Sequence, residues 1–71
     1  MNDLEKAQKV KTEFDKYIDW GYSVVDSARE AIKGHMNGYE IGEYGYPTTV
    51  YCGEYVVLFD GSHSSIYKKV Q

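Results

Sequence analysis

The one short stretch of this chain that sets a nucleophile, a base and an acid side by side is Asp60-Gly61-Ser62-His63-Ser64-Ser65. Acyl-transfer chemistry would need serine, histidine and aspartate aligned within hydrogen-bond reach on a rigid support, which a surface loop supplies poorly. Asp-Gly followed by serine is also ordinary turn chemistry, and the segment reads as a polar connection between strands. His35, His63 and Cys52 are the candidate metal ligands. No Cys-x2-Cys or His-x3-His spacing joins them, and Cys52 falls in an apolar alternation as a packing residue. His35 follows the helix-stop residue Gly34, where an imidazole suits the helix C-terminal dipole. Glu40 and Glu43, three apart on a strand, face opposite sides and make no paired-carboxylate site. Glycines 38, 42, 45, 53 and 61 are spread through strands and turns, matching neither a phosphate-binding loop nor a dinucleotide fingerprint. The expectation is a non-enzymatic protein with no catalytic residue, no metal site and no cofactor.

The elements that would position these residues fall into two halves of a single α+β domain, 1–71. Residues 1–34 are helical: Leu4, Ala7, Val10, Phe14, Tyr17, Ile18, Val24, Val25, Ala28 and Ile32 recur at intervals that place them on one helix face. Asn2 with Glu5 three residues on predicts an N-cap, Gly34 a C-terminal stop, and Glu5 with Lys9 a stabilising i,i+4 pair. An unbroken helix over 3–33 would run about 46 Å, too long for so small a globule. Gly21, followed by Ser23-Val24-Val25-Asp26 as a second N-cap, predicts one kinked helix or two helices. Lys11, Gly21 and His35 on the seam argue against a coiled coil.

Residues 35–71 change character. After the turn signal Asn37-Gly38 come four segments rich in aromatic and β-branched residues, 39–44, 48–52, 55–60 and 65–70. The turns between them are Gly45-Tyr46-Pro47, Gly53-Glu54 and 60–64, short enough to make a three- to four-stranded antiparallel meander. A two-residue turn at Gly53-Glu54 sets Cys52 opposite Tyr55, Tyr51 opposite Val56, Val50 opposite Val57 and Thr49 opposite Leu58. Alternation then gives the helices a face of Val50, Cys52, Tyr55, Val57 and Phe59, with Ile41, Ile66 and Val70 added.

Composition bounds the function. At 71 residues the core is near the lower size limit for independent folding, and self-association is one way to reinforce it. A single cysteine rules out an internal disulfide and points to a reducing compartment; with no membrane-length apolar run and an N-terminus unlike a signal peptide, the expected location is cytoplasmic. The net charge is −3, unevenly placed: residues 35–67 contain no Lys or Arg, four acids (Glu40, Glu43, Glu54, Asp60) and six of the eight tyrosines. Such a half repels a polyanion, so direct nucleic-acid binding is not expected.

The remaining sheet face collects Glu40, Tyr44, Thr49, Tyr51, Val56, Leu58, Tyr67 and Lys69, more apolar than solvation alone requires, and one helical layer leaves it without cover. The predicted partner-binding residues are Glu40, Glu43, Tyr44, Tyr51, Glu54, Val56, Leu58 and Tyr67. The fitting partner is another protein with a basic face, such as a nucleic-acid-binding protein whose phosphate sites these carboxylates would occupy. In size and composition alone the chain resembles the small acidic inhibitors of bacterial viruses, among them anti-restriction and anti-CRISPR proteins; that resemblance implies an inhibitor or modulator. Alternatives are a homodimer closed by the exposed sheet face or the sheet edge, and a binder of small planar ligands such as nucleotides stacking on Tyr and Trp20.

Overall fold

The computed structural model describes residues 2–33 and 38–70. Two helices, α1 (Asp3–Asp19) and α2 (Val24–Ile32), precede four strands, β1 (Tyr39–Ile41), β2 (Pro47–Cys52), β3 (Tyr55–Asp60) and β4 (His63–Lys68). The strands form one antiparallel sheet in the order β1-β2-β3-β4. The α+β meander expected from the sequence is therefore present, with two helices rather than one kinked helix.

Local signals explain the helix ends. Asn2 Oδ1 accepts the Glu5 N–H at 2.8 Å, and Ser23 Oγ accepts the Asp26 N–H at 3.1 Å, each satisfying an orphan first-turn donor. Between the helices Gly21 turns left-handed at φ +89. Its N–H donates to Ile18 O (3.0 Å) while Tyr22 N–H reaches back to Tyr17 O (2.9 Å), the paired bonds of a Schellman stop. The ion pairs along α1 are Lys11–Asp15 and Glu13–Lys16, both 2.8 Å, instead of the expected Glu5–Lys9. The expected stop at Gly34, the role of His35 and the turn at Asn37 lie outside the described residues.

The helices bury their apolar stripe on one sheet face. Ala7, Val10, Phe14, Ala28 and Ala31 meet Val50, Cys52, Val57 and Phe59, all buried, and Tyr55 and Ile66 pack partly buried at the margin. Phe14 and Phe59 stack at the centre, ring centroids 4.2 Å apart and nearly parallel. Burial pushes the Cys52 thiol above its usual ionisation range, with the Asp3 charge adding to the effect.

The β2–β3 register is the one predicted, Cys52↔Tyr55 through Thr49↔Leu58. Gly53 carries φ +60 and, among the described residues, no non-glycine has positive φ, so the glycine occupies the first turn position, as a II′ hairpin requires. Three expectations are corrected. First, β1 ends at Ile41, where the register with β2 shifts, so residues 42–46 form the connection and Tyr44 leaves the sheet. Second, Ile41 is 56% exposed instead of core: α1 lies across β2, β3 and β4 and α2 against β2, leaving β1 at the margin of the helical layer. Third, β4 begins at His63, across a two-residue Gly61-Ser62 turn, and ends at Lys68, so Val70 lies beyond the strand and is 95% exposed.

Candidate functional site

The face of the sheet away from the helices is built from two cross-strand rows. Glu40 pairs with Thr49, Thr49 with Leu58, and Leu58 with Ser65; one step along, Tyr51 pairs with Val56 and Val56 with Tyr67. Directly opposed side chains in such rows stand about 4.5–5.5 Å apart at Cβ, so each row is a continuous strip. Thr49, Tyr51, Val56, Leu58 and Ser65 are half-buried by their neighbours, whereas Glu40 and Tyr67 are exposed. Both helices lie on the opposite face.

Polar groups frame the strip. Interaction of the Tyr51 hydroxyl with the nearby Glu40 carboxylate, with desolvation and the Glu40 charge behind it, raises the Tyr51 ionisation above its usual value. Lys69 Nζ stands 5.1 Å from the Tyr51 ring centroid, a cation over an aromatic face. The strip thus carries a base at one side, contributed from just beyond the base-free stretch.

Of the eight predicted partner-binding residues, the structure gathers five: Glu40, Tyr51, Val56, Leu58 and Tyr67. Glu43 and Tyr44 sit in the β1–β2 connection, with Tyr44 81% exposed. Glu54 lies in the β2–β3 turn at the other end of β2, its N–H donating to Asp3 Oδ2 at 3.1 Å.

The residues considered for catalysis do not assemble. Asp60 and His63 are register partners flanking the Gly61-Ser62 turn, both exposed, and no hydrogen bond or ion pair joins their side chains. A groove lined by Gly53, Glu54, Lys68, Lys69 and Val70 lies at the far end of β3 from them. Among the described residues no group of three or more His, Cys, Asp or Glu is arranged to hold a metal ion. No described helix is long and apolar enough to cross a membrane.

Two polar or aromatic clusters were not foreseen. Ser64 Oγ donates to Asp15 Oδ1 at 2.6 Å and accepts from Lys11 Nζ at 3.0 Å, while Lys11 also bonds Asp15. The lysine is bonded to the carboxylate and the serine alike, and the trio ties α1 to β4. At the turn between the helices, Tyr17 contacts both Trp20 (5.3 Å, edge-on) and Tyr22 (4.8 Å, tilted), with Lys16 Nζ 5.0 Å from the Tyr17 ring and 5.3 Å from Trp20. Trp20 is 64% exposed. Only the i, i+3 spacing of Tyr17 and Trp20 hinted at this cluster.

Comparison with known proteins finds no matching family model, no similar curated protein and no similar solved structure.

Proposed function

We propose that this protein is a non-enzymatic interaction module that docks the outer face of its sheet on a basic surface of another protein, as an inhibitor or modulator of a nucleic-acid-binding partner of the kind bacterial viruses direct against host defence. The observation that carries the reading is the strip Glu40–Tyr51–Val56–Leu58–Tyr67, apolar and tyrosine-rich, bordered by a carboxylate and turned away from both helices. Tyrosine gives large contact area at low rotamer cost and keeps a hydroxyl for a polar partner. Glu43 and Asp60 at one end of the sheet and Glu54 at the other extend the acidic border, matching a basic ring around an apolar centre.

The test uses an arginine-rich peptide as a stand-in for such a surface, titrated into isotope-labelled protein. The amides of Glu40, Thr49, Tyr51, Val56, Leu58 and Tyr67 are expected to shift first, and a Glu40→Lys, Tyr67→Ala double variant to lose that response while keeping its fold. Shifts confined to the helices, or none at all, would reject the reading.

A second reading rests on the Tyr17–Trp20–Tyr22 cluster with Lys16 beside it, which suits a planar anionic ligand such as a nucleotide. Thermal-shift screening against nucleotides, with Trp20→Ala as control, separates the two sites.

A further inference from the structure

The two edges of the sheet differ. β1 is three residues long and its pairing is interrupted by a register shift, devices that blunt an edge. β4 spans six residues paired to β3 in unbroken register, with no proline and no bulge. The phase of its ladder is fixed by the Lys69 N–H, which donates to Glu54 O at 2.7 Å. Directly bonded pairs therefore recur at Glu54/Lys69, Val56/Tyr67, Leu58/Ser65 and Asp60/His63, and the intervening residues Ser64, Ile66 and Lys68 turn their backbone N–H and C=O outward.

We propose that this edge binds a second copy of the chain, β4 against β4′ antiparallel, about a twofold axis passing between Ile66 and Ile66′. Of the antiparallel registers, this one alone pairs all three outward-facing residues: Ile66 with its own copy, and Ser64 with Lys68′ at both ends. On the helix side Ile66, itself at the margin of the core, meets Ile66′ and extends the apolar layer across the junction. Lys68′ comes to stand over Ser64, whose hydroxyl is bonded to both members of the partly exposed Lys11–Asp15 pair, so the lysine meets a carboxylate that Lys11 already neutralises and the pairing rests on the backbone and on Ile66. The two lysines sit at opposite ends of the pairing, about 13 Å apart at roughly 3.3 Å per residue, and do not repel strongly. On the outer side Tyr67 lies beside Ser65′, joining the row Tyr51–Val56–Tyr67 to Leu58′ and Thr49′. The interrupted β1 edges become the ends of an eight-stranded sheet, so assembly closes at the dimer instead of growing as a filament. A core this small gains from such closure. The inference stands apart from whatever the outer face binds.

The decisive measurement is backbone amide exchange on the wild-type protein at micromolar and millimolar concentration, alongside mass by sedimentation. The Ile66 and Lys68 amides are expected to exchange at least about tenfold more slowly in the concentrated sample, as open amides do once paired. A mixed sample of labelled and unlabelled copies is expected to give an intermolecular contact between the Ser65 and Tyr67′ α-protons. Lys68→Pro removes an outward N–H and none within the sheet, and this variant is expected to sediment as a monomer. A monomeric mass at millimolar concentration, a dimer whose Ile66 and Lys68 amides exchange as fast as when dilute, or unchanged dimerisation of Lys68→Pro would each overturn the proposal.

Discussion

The Asp3 carboxylate, in the first turn of α1, accepts the N–H of Glu54, 51 residues further along the chain, and so fastens the β2–β3 hairpin to the helix N-terminus. The same carboxylate lies where a Cβ on Gly53 would have to go, and Gly53 itself holds φ +60. Gly53→Ala therefore meets two costs at once: about 1–3 kcal/mol for an alanine held at a backbone conformation almost confined to glycine, and loss of the Asp3 contact. It is expected to lower the melting temperature by roughly 4–8 °C per kcal/mol lost. Asp3→Ala, which leaves the turn conformation intact, should cost about 0.5–1.5 kcal/mol. Equal melting temperatures for Gly53→Ala and wild type would show that the turn adopts another geometry.

Ser27 presents the opposite situation. It is completely buried between α2 and the core, and among the described residues nothing hydrogen-bonds its hydroxyl. A buried unsatisfied hydroxyl costs about 1–3 kcal/mol, and alanine is also the better helix former. Ser27→Ala is thus expected to stabilise the fold by about 1 kcal/mol, read as a higher denaturant midpoint at unchanged slope. A lower midpoint would mean that the hydroxyl has a partner in solution.

Legibility in the sequence followed the range of the interaction. The caps at Asn2 and Ser23 and the Gly21 break were readable because cap and first-turn donor lie three residues apart, and a glycine marks a left-handed stop. The β2–β3 register and both of its faces followed from Gly53-Glu54 alone, since a two-residue turn dictates every pair above it. What failed was at the margins. Ile41 and Val70 have the right parity for the core, but parity does not reveal that the helical layer stops short of β1 or that β4 ends at Lys68. Asp60-Gly61-Ser62 was readable as a turn, yet its tightness, which puts His63 in the strand, was not. The Lys11–Asp15–Ser64 tether joins residues up to 53 positions apart, a pairing that only the docking of α1 on β4 creates. For the outer face, the register was legible and the loss of Tyr44 to a turn was not.

Phe14 and Phe59, stacked at 4.2 Å, are the two largest side chains shared by helix and sheet at the centre of the core. Truncating a buried phenylalanine costs about 3–5 kcal/mol, which equals the whole margin of roughly 3–5 kcal/mol that a core of this size supplies. Phe14→Ala is expected to be largely unfolded at 25 °C by circular dichroism, and Phe14→Leu, which keeps most of the volume, to remain folded with a lowered melting temperature. A cooperative, native-like transition in Phe14→Ala would place the weight of the core elsewhere.

Tyr51 supplies a pH dependence whose sign is determined by its environment. Its hydroxyl interacts with the Glu40 carboxylate in the native state, which raises its ionisation above the ordinary value of 10.0. Below that value both folded and unfolded chains hold the proton and the contribution to stability is complete. As the pH rises past it the unfolded chain ionises first, so stability falls with pH until the native tyrosine also loses its proton. Glu40→Gln removes the charge that holds the phenol neutral, and the Tyr51 midpoint, followed by the ring-carbon resonance of that residue, is expected to move down toward the ordinary tyrosine range, with a shallower loss of stability above pH 10. If the Tyr51 midpoint is the same with glutamate and glutamine at position 40, the two side chains are not bonded across the outer face and the acidic border of the strip begins elsewhere.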